Sequence, residues 1–181
     1  MARFLLGSLV ALGLASLSPG GLPPASAEAT ASALGGTWVF VPRDSDDLEA
    51  AINTAADKVN FVIRGLATGR LRDTNKPYRR IAITRGQGGT TTVETDTRGP
   101  VTAPAGGASV KWTRSDKQVY DVTMTWRSER RLEETFASAE GRRVNVYALR
   151  PGGQAMDMHV TVTSPRLPVP LTYRLAYRRV P

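Results

Sequence analysis

Few residues in this chain have the chemistry for catalysis, and their surroundings limit what each can do. His159 is the only histidine among 181 residues, set in "MDMHVTV" two positions after Asp157. On a strand these two share a face with Thr161 and Thr163, opposite Met156, Met158 and Val160, which places them toward solvent. A His–Asp pair without a positioned nucleophile is not a hydrolytic triad. One histidine in a chain with no cysteine also gives no metal-ligand cluster. The expectation is a protein that is not an enzyme and carries neither cofactor nor metal.

Glu134 raises a different question. In "RLEETF", Leu132, Glu134 and Phe136 alternate on one strand face, so the carboxylate sits among apolar neighbours. A buried carboxylate must pair, shift its pKa or meet water. Arg114, on the face shared by Val110 and Trp112, is the expected partner; a solvated place at the mouth of the fold is the alternative.

Arg64, Arg70, Arg72, Lys76, Arg79, Arg80 and Arg85 face Asp73 alone between residues 64 and 85. That bias suits an acidic ligand or anionic lipid headgroups. An ordinary solvated surface is the other reading.

The elements that must carry these residues follow from periodicity. "TWVFV" (37–41) reads as a strand ended by Pro42. Asp46 and Glu49 then form a helix-start pattern, and Leu48, Ala51, Ile52, Ala55, Val59, Val62, Ile63 and Leu66 give a 3.6-residue stripe. The spacing predicts one helix ending at Gly65 or Gly69, with a short further helical turn before Pro77. From Tyr78 the period becomes two, with strands predicted at 78–85, 90–96, 108–114, 118–127, 131–137, 142–150, 155–163 and 171–179. Residues 97–107 leave room for one more around Val101. The breaks carry turn chemistry such as "GQGG", "SDK", "SAEG" and "PGG".

Short turns imply antiparallel neighbours. The pattern predicts a mainly β fold, a single antiparallel up-and-down β-barrel of about 9–10 strands with one helix inserted between strands 1 and 2, because closure removes exposed edges. A β-sandwich is the alternative architecture.

At the start, Arg3 followed by an apolar run from Phe4 to Leu17 and Ala25-Ser26-Ala27 reads as a signal peptide over residues 1–27. The run is too short and too interrupted by glycine for a membrane span. The predicted organisation is therefore signal peptide 1–27, flexible leader 28–34 and barrel domain 35–181, with the mature protein periplasmic or secreted. Without cysteines, that domain must rest on its packed core. Export, and the lack of a basic-aromatic surface module, argue against nucleic acid as a partner despite a net charge of +8.

This layout resembles the calycins, and within them the fatty-acid-binding-protein and lipocalin families. The resemblance rests on "GGTWVFV" with Gly36-Thr37-Trp38 as a G-x-W first strand, a helical insertion from Asp46 to about Asp73, "NKP" closing it, and a continuous meander. It covers nearly all of residues 35–179 as an order of elements but few specific residues. Fatty-acid-binding proteins commonly hold a ligand carboxylate with an Arg-x-Tyr pair on the last strand. Here "TYRLAYRR" puts Arg174 three residues before Tyr177, on opposite faces, so that anchor does not transfer. In lipocalins a basic last-strand residue covers the first-strand Trp. Arg178 or Arg179 over Trp38 would supply such a contact, contributing about 0.5–1 kcal/mol if exposed.

Together these readings imply a binder of a small apolar or amphipathic ligand, such as a lipid. Trp112, Tyr120, Met124, Trp126, Glu134, Phe136, Met158, Tyr173 and Tyr177 would line the interior, and Arg70, Arg72 or Arg174 would meet an anionic group. Peripheral contact with an anionic membrane surface is a further expectation. The competing reading is a non-catalytic cell-envelope structural or protein-interaction barrel with a packed interior.

Overall fold

A computed structural model describes residues 33–180; the predicted signal peptide and most of the leader lie outside the described residues. Ten strands form one antiparallel sheet in the spatial order β4-β3-β2-β1-β10-β9-β8-β7-β6-β5. They are β1 (Gly36–Phe40), β2 (Arg80–Arg85), β3 (Thr90–Thr95), β4 (Val101–Pro104), β5 (Val110–Thr113), β6 (Val119–Ser128), β7 (Arg131–Ser138), β8 (Gly141–Leu149), β9 (Ala155–Thr163) and β10 (Leu171–Val180). Every predicted strand is present, including the short one at Val101.

The sheet curls into a nearly closed barrel. At its base the chain after β4 turns and meets β6: Gly106 bridges Thr125, and Gly107 N donates to Met124 O at 3.0 Å. Above that junction β4 and β5 have no ladder between them, which leaves an unsealed seam.

First and last strands pair directly, Trp38 opposite Arg179. Trp38 is fully buried, and the Arg179 guanidinium lies 4.3 Å above its ring. Gly36 takes φ +123°, and a Cβ there would stand 2.6 Å from Arg179 Nη1. Those two facts explain the G-x-W spelling: glycine supplies the backbone angle and the space over which the arginine crosses to the tryptophan.

The insertion between β1 and β2 differs from the single predicted helix. It is two helices, α1 (Leu48–Ala56) and α2 (Phe61–Thr74). The N-cap of α1 is Asp47, which accepts from Ala50 N at 3.0 Å. Asp46 instead accepts from Arg174 N at 2.8 Å and ties the helix entrance to β10. After Ala56 the chain breaks, and Asn60 caps a fresh start by accepting from Val62 N at 3.0 Å. The break rotates the stripe. Ile52, Ala55 and Val59 are buried, whereas Val62, Ile63 and Leu66 are exposed.

The core is one cluster that runs through the barrel: Trp38, Ile81, Ile83, Val122, Met124, Leu132, Met156, Met158 and Leu175 are buried, and Leu171, Tyr173 and Ile52 and Ala55 of α1 join them.

Candidate functional site

The polar heart of the barrel is built on β7 and β8. Their register sets Glu134 opposite Asn145, Leu132 opposite Tyr147 and Phe136 opposite Arg143, so the three polar residues of β8 share the inward face of Glu134. Glu134 is fully buried. Its Oε2 accepts from Asn145 Nδ2 at 2.9 Å and from the Tyr147 hydroxyl at 2.8 Å. Burial, then the adjacent Glu134 charge, pushes the Tyr147 hydroxyl well above its usual pKa, so it stays a donor.

The other oxygen, Oε1, accepts from Arg98 Nη2 at 2.8 Å. The expected partner, Arg114, is elsewhere: it pairs with Asp116 in its own hairpin turn, the shorter reach on an exposed loop. The solvated alternative for Glu134 fails as well, since no part of it is exposed. Arg98 comes from the connection between β3 and β4. Thr95 fixes that turn by accepting from Arg98 N at 3.1 Å and donating through its hydroxyl to Arg98 O at 3.2 Å. The guanidinium lies 4.5 Å from the Phe136 ring centre and 5.8 Å from those of Trp112 and Tyr78. Its side chain is only 9% exposed, and its Nε has no hydrogen-bond partner among the described residues.

A second guanidinium stands higher on β8. Arg143 donates to Asn145 Oδ1 at 2.9 Å, Asn75 Oδ1 at 2.9 Å, Thr74 O at 3.3 Å and the Tyr173 hydroxyl at 3.3 Å. The Tyr173 hydroxyl donates in turn to Asn75 Oδ1 at 3.1 Å. Arg143 thus pins the C-terminal end of α2 to the barrel. Among the described residues all four of its acceptors are uncharged. Arg98 and Glu134 neutralise each other, so this cluster carries one unmatched positive charge.

The interior residues named from the sequence fall into groups. Trp112, Tyr120 and Phe136 form one aromatic cluster, with ring centres 5.6 to 6.2 Å apart. Met124 and Met158 lie in the packed core. Trp126 stands near the base, its indole N–H donating to Thr91 Oγ1 at 2.7 Å, with Arg85 4.5 Å above its ring. The Tyr177 hydroxyl donates to Tyr78 O at 3.1 Å.

The three arginines named as anion contacts each hold an acidic partner. Arg70 pairs with Glu140 on the β7–β8 turn, and Arg72 with Glu49 at 2.7 Å. Arg174 lies on the outer face between Asp157 at 2.8 Å and Asp46 at 3.4 Å. His159 is exposed beside it in the ladder. Among the described residues no group of three or more His, Asp or Glu side chains is placed to hold a metal ion.

Arg98, Arg143, Asn145, Tyr147 and Asn75 are the site residues the sequence reading missed. In "RRVNVY" the polar Arg143, Asn145 and Tyr147 recur at period two, as clear a strand face as any apolar one. That face points inward, and the Val144–Val146 face is the half-exposed one. Arg98 carries no such signal, because it sits in a turn.

No protein-family model matches the chain, and no curated protein matches it by sequence. Solved structures do. The fatty-acid-binding protein of Schistosoma mansoni, in complex with arachidonic acid, is 19% identical with a TM-score of 0.50, over 83% of this chain and 98% of that one. A luciferase domain from the dinoflagellate Lingulodinium polyedrum is 15% identical with a TM-score of 0.51, over 90% of this chain and 46% of that one. At such identities the likeness is one of fold: the chain has a calycin-type barrel like that of fatty-acid-binding proteins. A barrel that also serves a luciferase domain does not decide function.

Proposed function

We propose that this protein is an exported, non-catalytic binder of a small amphipathic molecule whose anionic end meets Arg143 inside the barrel mouth. One observation carries the reading: Arg143 is a guanidinium turned into the fold with only uncharged acceptors among the described residues. Buried charges are ordinarily paired, and a ligand carboxylate or phosphate would complete this one. Trp112, Tyr120 and Phe136 lie beside the cluster and give an apolar tail aromatic surface to cover. The barrel architecture, shared with a lipid-binding protein, is compatible with this.

Calorimetric titration with dodecanoate and with dodecanol tests the reading. The wild-type protein should prefer the acid. Arg143→Met should weaken dodecanoate binding about tenfold to a hundredfold, from the ~1.5–3 kcal/mol of a hydrogen bond to a charged group. Equal affinity for acid and alcohol would overturn the assignment, and no binding of either would favour a packed scaffold. Export rests on the sequence of residues 1–27; N-terminal sequencing of protein recovered outside the cytoplasm should begin near residue 28.

Contact with an anionic membrane surface has its own support. Phe61, Val62 and Leu66 of α2 are 79%, 73% and 78% exposed, with Lys58 nearby in the chain and Arg64 and Arg70 at the surface, paired to Asp57 and Glu140. Exposed apolar side chains among cations suit a lipid interface. Sedimentation with anionic and with neutral phospholipid vesicles tests this, and equal recovery in both pellets would count against it.

A further inference from the structure

The surroundings of Arg98 amount to a built recognition site. A fully buried carboxylate forms the floor, and both of its oxygens are already aimed by Asn145, Tyr147 and the guanidinium itself. Phe136, Trp112 and Tyr78 present rings around the charge. Aromatic faces around a cation, with an anion behind, recognise organic ammonium and guanidinium groups.

The occupant is the chain's own arginine, and its hold is incomplete. On the outer surface Arg150 engages Asp157 through both Nε and Nη2, at 2.9 and 2.6 Å. Arg127 reaches Glu133 with the same two nitrogens. Arg98 uses Nη2 alone on Glu134 and leaves Nε buried without a partner. The turn that carries it, residues 96–100, lies outside the ladders and leads into β4, while Trp112 lies on β5. Those are the two strands with no ladder between them. The guanidinium therefore stands on the side of the barrel where β4 and β5 are unpaired. Its turn is held by Thr95 N donating to Arg98 O at 3.2 Å and Asp96 N donating to Arg80 O at 3.3 Å. The guanidinium thus leaves the cage by a swing of its side chain and not by opening of the turn.

We infer that this cage is a binding site for the ammonium or guanidinium end of an amphipathic ligand, and that Arg98 occupies it as a tethered stand-in until such a ligand arrives. The ligand's cation takes the place of the Arg98 guanidinium against Glu134, with its tail among Trp112, Tyr120 and Phe136. The site is separate in chemistry from the anion contact at Arg143 and does not require it. A ligand carrying both charges would use both, since Asn145 bridges Glu134 and Arg143.

Chain-matched amphiphiles below their aggregation thresholds decide the matter on the full-length protein. Wild type should bind dodecylguanidinium more tightly than dodecanol, against the repulsion of a protein with net charge +8. Arg98→Ala, which removes the tethered competitor, should tighten dodecylguanidinium at least tenfold and dodecanol far less. Glu134→Gln should abolish the preference for the cation. Arg143→Met should leave that preference in place while weakening dodecanoate, which separates this inference from the anion reading. Equal binding of dodecylguanidinium and dodecanol by wild type would overturn the inference, as would an Arg98→Ala protein with no gain. Should either cage variant fail to fold, the wild-type comparison alone decides.

Discussion

Helices α1 and α2 come from one continuous stretch of sequence, yet they do opposite things. In α1, Ile52 is fully buried and Ala55 and Ala56 nearly so, and the helix packs on β10. In α2 no residue is buried, and its apolar N-terminal turns face outward. What α2 has instead is a polar clamp at its far end. Asn75 Nδ2 donates to Leu71 O at 2.9 Å, while its Oδ1 accepts from Arg143 and Tyr173. The difference teaches that the insertion has a fixed half, held by apolar burial, and a half held near its C-terminal end by Leu71 against the core, two ion pairs and hydrogen bonds.

The sharpest way to break that contrast is to empty the fixed half. Ile52→Ala should cost about 2–5 kcal/mol of stability, the usual range for a fully buried isoleucine, measured by urea unfolding. Amide exchange should rise across β10 as well as α1. A loss under 1 kcal/mol would mean α1 is no more part of the core than α2.

Asn75→Ala comes next. It deprives Arg143 and Tyr173 of an acceptor and should cost about 1–3 kcal/mol. Its signature is where the change appears. Exchange should accelerate through α2 and leave the barrel strands protected, because a helix held at one end opens locally. Uniform acceleration would show that α2 unfolds only with the whole domain.

The smallest effect belongs to Leu66→Ser, expected within about 0.5 kcal/mol of wild type but with weaker sedimentation on anionic vesicles. A loss above 2 kcal/mol would mean that α2's outer face is covered in solution, and the contrast would fail.

The barrel was legible in the sequence because alternation and turn residues are local signals repeated ten times. The order of strands followed from the shortness of the turns. The two-helix break was less legible. Val62, Ile63 and Leu66 continue the period of Ile52 and Ala55 on paper, and only the Asn60 cap marks the change of direction. The site was half legible. Glu134 announced itself as a charge in an apolar alternation, but its partner was sought on a strand. Arg98 arrives from a turn, where no periodicity says which way a side chain points. Arg143 was hidden by the reverse error: its strand looks apolar through valines that face partly outward.

The ladder between β1 and β10 has a consequence in time as well as space. Trp38 finds its place between Arg179 and Ile81, so one wall of the first strand is made by residues about 140 positions further along the chain. The hairpins from β6 to β9 can assemble from neighbours as they appear. The first strand must wait for the final one, and contacts so distant along the chain are slow to form. Closure of β1 on β10 should then be the late step of refolding, visible as a slow phase in Trp38 fluorescence. Truncation at the C-terminal end should leave a hairpin array that never becomes a barrel.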